Sequence, residues 1–179
     1  MKRKRTDDLG NDASRGSLID VIIETPKGSR NKFAYEPASG RFKLSKILSE
    51  GMVFPYDFGF VPLTTADDGD PLDVLVLTDE RPFPGCELRC ALIGVIEAKQ
   101  RENGRTDRND RLIAAAEQSL LYAEVRTLAD LNPNVLAQID AFFVNYQKVR
   151  GVEFTILGHG GTEKAHEIVR QARPKVEAA

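Results

Sequence analysis

The sequence predicts an α+β chain that is mainly β, a mainly antiparallel barrel with flanking helices. Three observations carry this. Turn-bounded β runs fill the first half, and Cys86 to Ala98 reads as one long strand with apolar residues on both sides. Three-and-four hydrophobic spacing is delayed until after residue 132.

Val21 to Glu24 reads as a strand ending at Pro26. Lys32 to Tyr35 and Arg41 to Leu44 form a hairpin around Ala38-Ser39-Gly40. Val74 to Leu77 is a continuous apolar run suited to a buried strand. In the long strand, alternation puts Leu88, Cys90, Leu92 and Ile96 on one side and Ile93 and Val95 on the other. A polar excursion follows from Lys99 to Arg111, where Asn103-Gly104 marks a hairpin loop before Leu112-Ile113-Ala114. Asn132-Pro133 caps and opens a helix whose Val135, Leu136, Ile139, Phe142, Phe143, Tyr146 and Val149 face the core until Gly151. A last helix begins at Thr162, capped by that hydroxyl, and carries Ala165, Ile168 and Val169 inward before Pro174.

A chain of 179 residues, 41% hydrophobic and 29% charged, has room for one domain with a real core. Residues 1–17, with Lys2-Arg3-Lys4-Arg5 and no apolar stretch, read as a disordered polar tail rather than a signal peptide, leaving 18–179 as a single domain. A net charge of -2 argues against nucleic acid as a partner. No apolar run approaches the roughly 18 residues of a membrane span, so no membrane partner is expected and the location is cytoplasmic. Cys86 and Cys90 share a strand face but stand about 13 Å apart by strand rise, beyond disulfide reach, and read as core residues. The two histidines, His159 and His166, give no zinc spacing.

The chemistry concentrates at Asp67-Asp68-Gly69-Asp70-Pro71-Leu72-Asp73, four carboxylates in seven residues just before the buried run. Like charges this close raise one another's pKa unless a cation sits among them, and a hard dication such as Mg2+ takes oxygen ligands. An acidic surface turn is the plain alternative. An EF-hand is excluded, because counting from Asp68 puts Asp73 where that loop needs Gly and Asp79 where it needs Glu.

Asp68-Gly69-Asp70-Pro71-Leu72-Asp73 resembles the signature of the family I soluble inorganic pyrophosphatases. The resemblance extends through Asp20 to Pro26, Asn31-Lys32-Phe33, Phe54 to Phe60 and Phe142 to Tyr146, covering nearly all of the chain after residue 18. It implies a five-stranded OB-like barrel and a pyrophosphatase-like domain over 18–179. It also implies Mg2+-dependent hydrolysis of pyrophosphate, and a homo-oligomer, since bacterial members are commonly hexamers. By the same resemblance Asp68 and Asp73 ligate metal, Glu24 holds a more weakly bound ion through waters, and Asp70 is general base as well as a metal-binding residue. Asp110 is a candidate ligand where the loop alignment leaves Asp107, Asn109 and Asp110 open. Lys32, Lys46 and Arg111 serve the phosphates and Tyr146 the leaving group. Read alone, the lysines are solvated charges and Tyr146 is a core residue with a wet tip.

The chain departs from the family pattern at Phe58, Lys46, Ala34, Gln100, Asn109, Arg111 and Gln147, where members generally carry Tyr, Arg, Glu, Asp, Asp, Lys and Lys. The departures leave a second reading open, a relative that cleaves another phosphoanhydride or binds phosphate with weak activity. They also lead to the expectation that Phe58→Tyr with Asn109→Asp raises activity. A nucleic-acid-binding barrel is disfavoured by net charge and by the want of an aromatic, basic platform.

Overall fold

The computed structural model describes residues 17–174, so the expected polar tail lies outside the described residues but for Ser17. The strands are β1 (Leu18–Thr25), β2 (Asn31–Glu36), β3 (Arg41–Ile47), β4 (Asp57–Phe60), β5 (Asp73–Leu77), β6 (Glu87–Glu102), β7 (Arg105–Arg108), β8 (Arg111–Ala116) and β9 (Glu153–Gly160). The helices are α1 (Pro133–Val149) and α2 (Thr162–Ala172).

Five strands close on themselves in the order β1-β4-β5-β8-β6, with β6 returning to β1. Closure leaves the ring without a free edge, which suits a sheet apolar on both faces. Four of the five junctions are antiparallel. The exception is β5 with β8, which run parallel because the chain crosses over through β6 and β7 between them. The strands β7 and β9 pair with the far half of β6. The hairpin β2-β3 forms its own two-stranded sheet, as its turn residues predicted.

Alternate residues of β5 serve two cores. Val74 and Val76 pack with Val21, Leu92, Val95, Leu112 and the α2 residues Ala165 and Val169. Leu75 and Leu77 pack on the other face with Phe58, Ile93, Ile96, Ile113 and the α1 residues Ile139, Phe143 and Tyr146. Strict alternation failed in β6. A bulge between Leu92 and Gly94 moves Val95 to the side of Leu92 and Ile96 to the side of Ile93, the reverse of the expected assignment. Glycine suits the bulge, because a Cβ on Gly94 would come within 2.5 Å of Leu128 Cγ.

Other expectations also need correction. Cys90 is buried, but Cys86 precedes β6 and is only half-buried. Val149 is 61% exposed at the end of α1, where the helix has turned away from the ring. Thr162 is the first helical residue, and the cap is Gly161 with no side-chain bond. The strands β4 and β9 were not anticipated: β4 is only four residues long, and in β9 polar residues and glycines break up the apolar pattern.

One buried acid gives a pH prediction. Asp57 accepts from the Lys27 N–H at 2.8 Å and from the Thr78 hydroxyl, yet burial pushes its pKa up. The folded state therefore prefers the protonated acid. That contribution to stability is present below the unfolded carboxylate range and is lost as pH rises through the folded value. Asn in its place can accept from Lys27 and donate to Thr78. Asp57→Asn is expected to raise the thermal midpoint at neutral pH, with the gap closing toward pH 3. A gap that widens on acidification would contradict this.

Candidate active site

The acidic loop is held open by its own backbone. Gly69 adopts φ 90, a conformation most side chains avoid, and donates its N–H to Ala66 O at 3.0 Å. The Ala66 N–H donates back to Asp70 O at 2.7 Å. The Thr64 hydroxyl donates to Val61 O at 2.6 Å and accepts from the Leu72 N–H at 3.0 Å, fixing the stem below. Leu72 and Val74 are buried, so the carboxylates project from an anchored edge. Asp68 and Asp70 are exposed, and Asp73 opens β5.

Glu24, near the end of β1, faces this loop and accepts the Tyr35 N–H at 2.6 Å. Burial raises its pKa, Lys32 opposes that, and the negative charges of Asp73 and Asp70 add to it. Burial also raises Asp68, with Asp70 and Asp73 contributing and Arg111 opposing. Glu24 and Asp68 thus each feel the charges of Asp70 and Asp73, with Lys32 opposing at Glu24 and Arg111 at Asp68. Like-charge pressure of this kind is relieved by a hard dication, and oxygen donors fit Mg2+. The carboxylates are near neighbours rather than a finished cage: among the described residues no three Asp, Glu, His or Cys side chains converge in metal-binding geometry.

Arg111 is the hub. Its guanidinium is 7% exposed and pairs with Asp73 Oδ2 at 2.6 Å. The faces of Phe58, Phe143 and Phe154 lie 6.0, 5.6 and 5.9 Å from it. Its Nε is buried with no partner among the described residues, one donor left over at the edge of the site.

Behind Arg111 runs a line of neutral amides. Asn109 Oδ1 accepts from Arg111, and Asn109 Nδ2 donates to Gln100 Oε1 at 2.7 Å. Gln147 Nε2 donates to the same oxygen at 3.0 Å, and Gln147 Oε1 accepts from Arg150 at 2.6 Å. Four of the departures from the family pattern, Gln100, Asn109, Arg111 and Gln147, are thus one connected structure. Sequence reading flagged these singly and missed both the connection and Arg150; the i, i+3 spacing of Gln147 and Arg150 on a helix end was the available signal.

The three loop candidates have different neighbours, and Asn109 lies in the amide line just described. Asp107 pairs with Arg105 at 2.8 Å near the hairpin tip. Asp110 Oδ1 accepts from the Ala98 N–H at 2.9 Å and from Arg108 Nε at 2.6 Å, and Arg108 also pairs with Glu97. Asp110 is therefore already engaged, although it lines the same cavity as Asp68 and Asp73. That cavity, about 330 Å3, also takes in Asn109, Arg111 and Lys164. Asp70, Glu24 and Lys32 lie outside its lining, so the acidic loop has two sides.

On the β2-β3 side, Lys32 and Lys46 are direct cross-strand partners. Like charges opposite each other oppose pairing, an arrangement that an anion relieves. Lys32 also sits 5.4 Å from the Phe58 ring centre, which Phe54 and Phe143 pack against. Tyr146 stacks on Phe142, and its hydroxyl is buried without a partner among the described residues.

The carboxylates of Glu24, Asp68, Asp70 and Asp73 stand close to Lys32 of the β2-β3 hairpin and Arg111 of the five-stranded ring. The family model described as inorganic pyrophosphatase matches residues 21–177. The chain is 34% identical over 164 residues to an inorganic pyrophosphatase of Methanosarcina acetivorans, covering 92% of this chain and 95% of that one. It is 36% identical over 155 residues to one from Nostoc sp., covering 87% and 89%. The crystal structure of inorganic pyrophosphatase from Thermus thermophilus superposes with a TM-score of 0.82 at 28% identity, covering 92% and 93%. The chain belongs to the inorganic pyrophosphatase family.

Proposed function

We propose that this protein hydrolyses inorganic pyrophosphate to two phosphates with Mg2+, at the acidic loop. The observation that carries the reading is the meeting of Asp68, Asp70, Asp73 and Glu24 with Lys32 and Arg111 in a chain of this family. Asp68 and Asp73 are the main metal ligands, supported by Glu24 and Asp70. Asp110 is the weakest of the proposed ligands because one oxygen is already shared between Ala98 and Arg108. Held by these carboxylates, Mg2+ would supply charge to offset the phosphates and would lower the pKa of a coordinated water. Asp70, whose exposed carboxylate takes no hydrogen bond from the described residues, accepts the proton as the water oxygen attacks phosphorus and the bridging P–O bond breaks. Lys32, Lys46 and Arg111 offset the phosphate charge, and the unpaired Tyr146 hydroxyl donates to the leaving group.

Phosphate release from pyrophosphate, with tripolyphosphate and nucleoside triphosphates as competitors, tests the reading. Pyrophosphate is expected to be the preferred substrate. Inert pyrophosphate beside a cleaved competitor would replace this reading with that of a relative acting on another phosphoanhydride.

The amide line changes one expectation. Asn109→Asp adds a charge near the metal, but it also turns a carboxylate oxygen toward Gln100 Oε1, which Gln147 holds in place. Such an acceptor pair costs on the order of 1–3 kcal/mol. Phe58→Tyr with Asn109→Asp is therefore expected to lower activity, by about tenfold. A rise would mean that the amide line does not constrain the site.

We also infer a cytoplasmic homo-oligomer, hexameric by resemblance. No helix among the described residues is long and apolar enough to cross a membrane, and exposed Val144, Val149 and Leu157 on α1 and β9 are side chains that a contact between copies would cover.

A further inference from the structure

We infer that Arg150 is a phosphate-binding residue of this site, a third cation beside Lys32 and Lys46 that Gln147 holds in position. Arg150 follows the last residue of α1, and its guanidinium lies 5.5 Å over the Tyr146 ring. One nitrogen donates to Gln147 Oε1 at 2.6 Å, and the guanidinium makes no other hydrogen bond with the described residues. Its remaining donors are therefore available beside the Tyr146 hydroxyl, itself buried and unpartnered. Gln147 is buried and fixed from behind by Gln100, so the carbonyl that receives Arg150 has one orientation. A guanidinium held at one end presents the rest of its fork for a planar, bidentate contact with phosphate oxygens.

The other two cations point to the same place. Lys32 and Lys46 stand opposite each other on β2 and β3. Lys46 has its pKa pushed down by partial loss of hydration, then by Arg150 and by Lys32, with Glu102 opposing, which puts Lys46 in the field of both other cations. Three cations and an orphaned hydroxyl repel or go unsatisfied together, and one phosphate group answers all of them. The neutral Gln147 then has a purpose in this chain: it removes no cation from the site but carries one on the following turn.

The inference rests on reading the site as one for phosphate groups, so the test measures binding and turnover separately. Inorganic phosphate is titrated calorimetrically against the intact protein, and pyrophosphate kinetics are run in parallel, for wild type, Arg150→Ala and Arg150→Lys. Arg150→Ala is expected to weaken phosphate binding and raise KM for pyrophosphate by about tenfold each, with kcat changing less, as befits loss of one charge-assisted contact. Arg150→Lys should recover part of both, and thermal midpoints should match wild type because the side chain is exposed. Unchanged phosphate affinity and KM in Arg150→Ala, while wild type turns over pyrophosphate, would overturn the inference alone. Lost phosphate affinity in Arg150→Ala with a wild type inert on pyrophosphate would support Arg150 and reject the pyrophosphatase reading. A lowered midpoint in both variants, with Lys no better than Ala, would make Arg150 a structural helix end and overturn the proposal.

Discussion

Asp70→Asn should lower pyrophosphate turnover by about a hundred- to ten-thousand-fold, the range set by removing a general base. The fold should survive unchanged. The loop is held by the Asp70 backbone, through its carbonyl to Ala66 and its N–H to Asp68, and Asn preserves both. The side chain is exposed, so its replacement leaves no buried partner stranded. Turnover by single-mixing kinetics and a thermal melt on the same sample separate the two effects. Wild-type turnover in Asp70→Asn would remove the proton acceptor from that residue.

Asp73→Ala should act on stability and metal together. Arg111 is 7% exposed and Asp73 28%, so deleting the carboxylate leaves a buried guanidinium without its counter-charge. Breaking a buried pair in this way costs about 3 kcal/mol. For a domain of this size that corresponds to roughly 6 to 12 °C in thermal midpoint. The double variant Asp73→Ala with Arg111→Met removes both charges and should recover most of the midpoint while remaining weak in Mg2+ binding. Recovery of the midpoint with normal Mg2+ titration would move the metal away from Asp73. No loss of stability in Asp73→Ala would mean that the ion pair does not hold β5 to β8.

The parts legible in the sequence were those with local causes. The acidic loop, the β2-β3 hairpin, the Asn103-Gly104 turn and α1 each follow from residues adjacent in the chain, such as the Asn132 side-chain Oδ1 that accepts from the Asn134 N–H. The inversion of Val95 and Ile96 was not legible, because a bulge depends on what the partner strand offers and not on β6 alone. The same holds at the site. Asp68, Asp70 and Asp73 announce themselves by spacing, whereas Gln100, Asn109, Gln147 and Arg150 come from β6, the β7-β8 link and the end of α1 and meet only in the fold. Read singly, three of them looked like losses. Their hydrogen bonds to one another account for the amides at Asn109 and Gln147: both donate to Gln100 Oε1, and a carboxylate in place of either would set an acceptor against that oxygen.

The dependence of phosphate release on Mg2+ tests the central claim most directly. With chelator and no added metal, pyrophosphate turnover by the wild-type protein should be absent, and it should rise saturably as Mg2+ is titrated in. Turnover in chelator equal to that in saturating Mg2+ would contradict the account, since the site would then hydrolyse pyrophosphate without the ion that Asp68, Asp70, Asp73 and Glu24 are proposed to hold.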